Sequence, residues 1–452
     1  MRRIGVRSLI ARMKTFALAR RTCQLKTELP FGIYGGAECF FFDVDVDNHL
    51  EIVTYQGPGI YGSSLFHGRD HVRQQLPKST CVSAFRLDGT RLWTWGVPNP
   101  PDFPYLSHSC ECCLDCADVD GDGENEVVVA DGDRVILLDG KTGQVKRTCS
   151  LVGDNYYIVK ALGQPTGVHE AAVVVKNGEI GHGTWRYGEP VVGLNADLDI
   201  VWGPKAVLGG GHHILAEDLR GTGRREYIVG YSAMAPDGGV RWTLDAVDPE
   251  GFDPDSMHVD YTDVAERPTG GKILAIAGSD RFYLVSSDGR TLLERPAIHA
   301  QGSGFGRLGR NSEMRLVCYD APNGPITLYD LDGIMLWSRI APRRWPLGMP
   351  DACKGRRFHR NRPVVVLGDA QQWIGYADGG WPWGMNGNGK ISLHFAPPEN
   401  SREPGTGATE GVPGRGDDLG LGFAMQCVDI DSDGKSEALI YNRRFLWVFA
   451  LP

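Results

Sequence analysis

Three stretches of the chain space oxygen-bearing side chains as a cation-binding loop needs them: Asp43, Asp45, Asp47 and Glu51; Asp118, Asp120, Asp122 and Glu126; and Asp429, Asp431, Asp433 and Glu437. Ligands at relative positions one, three, five and nine can wrap a hard cation such as calcium, and glycines such as Gly121 and Gly123 permit the tight turn between them. The loop is shorter than a helix-flanked EF-hand loop, and Val127-Val128-Val129-Ala130 after it is β-branched and extended. It therefore belongs inside a hairpin. Structural Ca2+ is the expected cofactor, with an unoccupied acidic turn as the alternative. At Asp218 to Glu226, Arg220 and Thr222 replace two of the carboxylates, so no ion is expected there.

A second group of residues can move protons and hold an anion. His213, His258 and His108 titrate near neutrality, Tyr187 is a phenolic acid or base, and Arg186 can grip a carboxylate through two hydrogen bonds. Tyr157, Lys176, His182, Tyr231, His67 and Arg69 stand as candidate substrate contacts. This set suits β-elimination of a uronic-acid glycoside: a cation or donor stabilises the carboxylate, a base removes the C5 proton, and an acid protonates the departing O4. His213 or Tyr187 is the expected base, His258 or His108 the expected acid, and Arg186 the carboxylate partner. A glycosidase would need two opposed carboxylates, whereas the identifiable acidic residues gather in the cation-type turns.

Bringing residues so distant in sequence to one place calls for a ring of repeated units, which also accommodates 452 residues without several ordinary globules. The 42% hydrophobic content and 60 glycines fall in short apolar runs broken by Asp-Gly turns, as in an all-β protein. One unit comprises an apolar strand ending in Asp, the acidic turn, a second strand such as Glu126 to Ala130, a third strand running into Asp-Gly, and a closing strand with Trp. The closing signature stands at Asp88-Gly89 with Trp93, Asp237-Gly238 with Trp242, and Asp332-Gly333 with Trp337. Glycine supplies the positive φ of the turn, and Trp fills the gap between adjacent sheets. Each unit reads as a four-stranded antiparallel blade and the whole as a β-propeller.

First strands begin near Cys39, Cys112, Tyr157, His213, His258, Gly304, Pro350 and Met425, which gives eight blades, with seven as the alternative count. The last unit stops at its third strand, Phe445 to Leu451, so Thr22 to Leu29 is expected to add the fourth and close the ring by pairing the two ends of the chain. Residues 22–452 then form a single propeller domain after a basic tail, 1–21, with a Gly- and Pro-rich surface insertion at 386–422 before the last blade. First strands lie nearest the axis, and the loops entering them emerge opposite the acidic turns. Most of the 12 histidines thereby collect at one mouth, among them His212 and His299.

A net charge of -9 argues against a general nucleic-acid binder, and no run of about eighteen apolar residues is present to span a membrane. The cysteine count of 11 is odd and its spacing suggests no disulfide scaffold. Cys110, Cys112, Cys113 and Cys116 beside His108 can in principle bind zinc, but strand alternation sends Cys112 and Cys113 to opposite faces, so they read as core residues. The arginine-rich amino terminus makes a poor secretory h-region, and cytoplasmic and exported locations both stay open. A monomer is expected.

The segment Gly211-His212-His213, the altered turn Asp218 to Glu226, Gly230-Tyr231-Ser232, Asp237-Gly238, and His258-Val259-Asp260 with Asp263 resembles the core of the propeller polysaccharide lyases. These are the rhamnogalacturonan lyases and, more loosely, the ulvan and rhamnose-glucuronate lyases; the acidic turns are similar to FG-GAP-type calcium repeats. The resemblance implies a propeller of seven or eight blades, structural calcium, acid-base work by His and Tyr, Arg on the uronate carboxylate, and an acidic polysaccharide as partner. By position His213 and His258 are similar to the histidines that precede blade strands in those enzymes. The competing class is a calcium-stabilised, integrin-like propeller that binds carbohydrate or protein without catalysis.

Overall fold

In a computed structural model of the protein, the short β-branched and aromatic runs form, among the described residues, thirty-one strands, β1 to β31 in chain order, with almost no helix. The structure describes residues 21–36, 38–57, 79–99, 113–153, 156–178, 185, 188–247, 251, 257–267, 269–309, 312–320, 324–341, 364–377, 381–402 and 423–452. After β1 (Arg21–Pro30) come successive antiparallel groups: β2 to β5 (38–96), β6 to β9 (114–150), β10 to β13 (156–205) and β14 to β17 (214–243). Next are β18 to β21 (261–306) and β22 to β24 (315–340), then β25 to β28 (364–395) and β29 to β31 (424–450). Strand β21 (Thr291–Gly306) is 16 residues long and serves twice: its first part pairs with the preceding strand and its second part opens the next unit. The final group has three strands of its own, and β1 pairs antiparallel with β31 (Phe445–Ala450), from Gln24 opposite Ala450 to Pro30 opposite Phe445. The architecture is all-β and propeller-like, made of four-stranded antiparallel units. Among the described residues no helix is long and apolar enough to cross a membrane.

The apolar residues of each sheet face their neighbours on both sides, so the core of the described residues is split into eight clusters, each between two units. One of them joins Cys39, Ile52 and Phe85 of the first unit to Leu439, Tyr441 and Val448 of the last, with Leu29 and Phe31 between. A recurring staple ties units together. The Nε1 of Trp93, Trp202, Trp242 and Trp337, each on a fourth strand, donates to a carbonyl in the next unit's closing turn: Gly140, Pro236, Ser287 and Gly387. The glycine in that turn is needed for the fit. Gly143 has φ +69, and a Cβ there would stand 2.6 Å from the Trp93 ring.

The acidic turns keep one geometry. Asp43, Asp118, Asp218 and Asp429 each accept two backbone N–H groups from the far side of the turn. The closing glutamates Glu51, Glu126 and Glu437 each accept the N–H of the residue after the first Asp. Asp218 does so beside Arg220 and Thr222, which explains why that turn keeps its shape with fewer carboxylates.

The expected insertion at 386–422 is corrected in its first part. Residues Ile391–Phe395 form β28, with Leu393 and Phe395 buried against the last unit. Asn386 to Gly389 is the tight turn leading into that strand, Gly389 having φ +70. The Ile-Ser-Leu-His-Phe alternation carried this signal inside a Gly- and Asn-rich frame. The described first strand of the same unit is Val364–Leu367, and the expected start near Pro350 lies outside the described residues.

Candidate functional site

Three consecutive units present a residue from the segment just before their innermost strand. His212 precedes β14 (Ile214–Glu217), His258 and Asp260 precede β18 (Tyr261–Glu266), and His299 lies in β21 immediately before its inner part. Gly211 makes this convergence possible. It has φ +54, and a Cβ there would sit 1.8 Å from the Val259 carbonyl oxygen, so only glycine lets the two segments touch. The His212 N–H then donates to the Val259 carbonyl at 2.9 Å, and the Val259 N–H donates to Gly209 at 3.1 Å.

The side chains converge on Asp260, which is 1% exposed. Its Oδ1 lies 3.4 Å from His212 Nε2 and 3.5 Å from His258 Nε2, and accepts a hydrogen bond from Gln301 Nε2 at 3.0 Å. The other oxygen, Oδ2, is 2.8 Å from the Ser279 hydroxyl and 3.9 Å from His299 Nε2. The His212 and His258 rings meet edge to face at 5.1 Å between centroids, and His258 meets His299 at 6.3 Å. Burial pushes the His212 pKa down to about 3, more than Asp260 beside it raises it. Burial alone would raise Asp260, but His258, then His212 and His299, hold it at about 2. The cluster thus keeps a carboxylate ionised in a buried site faced by imidazoles. His299, with a side chain 40% exposed, is its solvent-facing member.

Of the expected catalytic residues, His258 belongs to this cluster. His213 does not touch Asp260; one residue along the strand, it turns the other way and packs on Tyr261 at 4.7 Å. His108, Arg186 and Tyr187, with His182, His67 and Arg69, lie outside the described residues. Two expected substrate contacts are corrected. Lys176 is 0% exposed, its ammonium donating to the carbonyls of Asn177 and Gly211, so it braces the segment carrying His212. Tyr231 is likewise 0% exposed, its hydroxyl donating to the Gly278 carbonyl at 3.0 Å in the core between the fourth and fifth units. A loop position placed them near the mouth; their bulk fills the space between units instead. Tyr157 sits apart, in a cleft between units with Asp131, Arg134 and Trp95. Cys113 is a buried core residue, and burial raises the thiol of Cys116 well above its ordinary range.

In the acidic turns, oxygens of Asp43, Asp45 and Glu51 lie within 4.8 Å of one another, as do those of Asp118, Asp120 and Asp122 and those of Asp429, Asp431 and Glu437. Two of the three turns also receive an ammonium. Lys146 Nζ stands 2.8, 2.9 and 2.6 Å from Asp120, Asp122 and Glu126. Lys26 Nζ stands 2.5, 3.4 and 2.9 Å from Asp431, Asp433 and Glu437. In the Asp43 turn, Arg86 reaches Asp45 at 3.1 Å.

No protein-family model matches the chain, and no curated protein sequence matches it. Solved structures do share its fold. It is similar to rhamnogalacturonan lyase YesW at 15% identity and a TM-score of 0.51, over 95% of this chain and 74% of that one. The exotype rhamnogalacturonan lyase YesX matches at 13% identity with a TM-score of 0.51, over the same shares of each chain. BamB from Moraxella catarrhalis matches at 12% identity and a TM-score of 0.52, over 95% of this chain and 98% of that one. At such identities the likeness establishes the propeller-like fold shared by these proteins, and it does not single out FG-GAP-type repeats.

Proposed function

We propose that the chain is a polysaccharide lyase that cleaves a uronic-acid glycoside by β-elimination. The observation that carries this reading is His299, a half-exposed imidazole whose Nε2 lies 3.9 Å from the buried, ionised Asp260. A solvent-facing imidazole can accept and donate a proton, which suits it to pass one to or from a sugar. Proton transfer is assigned to His299, with His213 beside Tyr261 as second candidate. Buried His258 supports Asp260 rather than reaching a substrate itself. Arg186 remains the proposed partner of the uronate carboxylate and Tyr187 the proposed second proton carrier. The fold shared with rhamnogalacturonan lyases supports the same reading. Structural Ca2+ belongs to the proposal and suits best the Asp43 to Glu51 turn, where no lysine ammonium is recorded among the described residues.

The test is incubation with pectic, ulvan-like and glucuronate-capped polysaccharides, following the ultraviolet absorbance of an unsaturated product. Wild type should generate it, and His299→Ala should reduce the rate by about 10²-fold or more, the usual worth of a general acid or base. No absorbance on any substrate, with sugar binding unchanged in His299→Ala, would leave a non-catalytic binding propeller.

A further inference from the structure

We propose that His212, His258 and Asp260 bind one divalent transition-metal ion of the zinc class, at a site chemically distinct from the acidic turns. Their donor atoms, one nitrogen from each imidazole and one carboxylate oxygen, all lie within 4.8 Å of one another. Asp260 Oδ1 is 3.4 and 3.5 Å from the two Nε2 atoms. His258 hydrogen-bonds Asp260 at this range, and both separations exceed the limit of about 3.2 Å to which such bonds ordinarily run. They match the ligand-to-ligand edge of a tetrahedron built on metal bonds of about 2.0–2.2 Å, which comes to roughly 3.3–3.6 Å. Two imidazoles and one carboxylate are the donor set of borderline ions such as Zn2+ or Co2+, whereas calcium takes oxygen.

The surroundings are built as a metal site requires. Gln301 holds one Asp260 oxygen, and the Ser279 hydroxyl stands 2.8 Å from the other and 2.9 Å from the His258 carbonyl oxygen. Such outer contacts fix a ligand's orientation before the ion arrives. Ser279 itself sits at φ +57, a strained conformation for a residue with a side chain, which the surrounding sheet maintains. His299 Nε2 lies 3.9 Å from the second Asp260 oxygen, on the solvent side and outside this three-residue group. The inference does not depend on lyase activity; if both hold, the ion would lie at the base of the mouth and attract an anionic sugar.

The full chain, stripped with chelator and kept in excess Ca2+ to fill any oxygen-only site, is titrated with Co2+. One equivalent should bind, with visible d–d bands that vanish when Zn2+ displaces it. His258→Gln and His212→Gln should lose the bands, while Asp43→Asn should keep them. Absence of bands in wild type, or bands unchanged in both histidine variants, would overturn the site. Where a variant fails to fold by circular dichroism, X-ray absorption of wild type with Co2+ decides: two imidazole scatterers sustain the proposal and an oxygen-only shell refutes it. Because no step reads polysaccharide cleavage, an inactive protein that binds Co2+ in this way would separate the two conclusions.

Discussion

Asp260 and His212 are bound to each other by opposite electrostatic needs. Burial disfavours charge on both, yet Asp260 stays ionised because imidazoles face it, while His212 stays neutral because burial outweighs one carboxylate. An unfolded histidine titrates near 6.5, whereas folded His212 does so at about 3. Between those values the unfolded chain binds a proton that the folded chain refuses, so this contribution to stability is complete above pH 6.5 and is lost as pH falls toward 3. Asp260 adds a loss of the same sign lower down, between 3.8 and about 2. For chelator-stripped protein, the urea midpoint should therefore fall on acidification from neutrality, with a slope approaching ~1.4 kcal/mol per pH unit from this imidazole. His212→Asn should flatten that slope; a wild-type midpoint constant from pH 7 to 5 would contradict it. The sequence marks His258 and Asp260 through their place before an innermost strand, and His212 and His299 share that place. What it cannot show is that His212 rather than His213 turns inward, because strand alternation is set by pairing across the sheet and by Gly211 closing on Val259.

A β-bulge on the outermost strand sorts the acidic turns. In the second unit Leu138 faces Val145 and Leu137 faces Arg147, leaving Lys146 as the extra residue, and it turns into the acidic loop. Lys26 holds the matching place in the last unit, and Arg241 in the fourth, where it approaches Glu226 at 3.6 Å. In the first unit the bulge residue is Leu92, partly buried against the core, so the Asp43 turn receives no cation from that position. After exhaustive dialysis against Ca2+, wild type should hold one equivalent and Lys146→Met two, since removing the tethered ammonium leaves the second turn's carboxylates facing one another. Three equivalents in wild type, or no change in the variant, measured by elemental analysis, would break the rule. The ligand spacing was legible along the chain; the ammonium was not, since Lys26 and Glu437 are 411 positions apart and meet only through strand pairing. The Asp-Gly and Trp signature was legible because both halves are local. Its partner is not local: Trp93 closes on the next unit's turn, so Trp93→Ala should cost about 3–5 kcal/mol in denaturant unfolding. Gly143→Ala, which drives a Cβ into the same ring, should also destabilise, with a loss under 0.5 kcal/mol counting against the staple.

At the scale of the molecule, the apolar faces of the described sheets pack on neighbouring sheets, and one cluster brings residues of β2 to β4 against residues of β29 to β31. No unit owns a complete core, so the arrangement is only as cooperative as its weakest seam. One seam joins segments from opposite ends of the described chain. There β1 supplies the outer strand, Leu29 and Phe31 fill the cluster shared by the first and last units, Lys26 enters the acidic turn, and Glu28 accepts from Trp447 at 3.1 Å. Thr22 to Leu29 is short and half polar, and its reading as a strand came from the last unit's missing edge rather than from its own pattern. Removing residues 1–30 should leave β31 as an open edge with Trp447 beside it, and an uncovered edge pairs with other chains. The truncated protein is expected to unfold at least about 5 °C lower, the effect of a few kcal/mol in a chain of this size, and to elute as larger species in size-exclusion chromatography. A synthetic peptide of residues 21–31 supplied in trans should restore both properties by re-forming the pairing with β31. A truncated chain that stayed monomeric at the wild-type melting temperature would mean that the core clusters alone hold this seam, and that β1 contributes an edge strand without adding to stability.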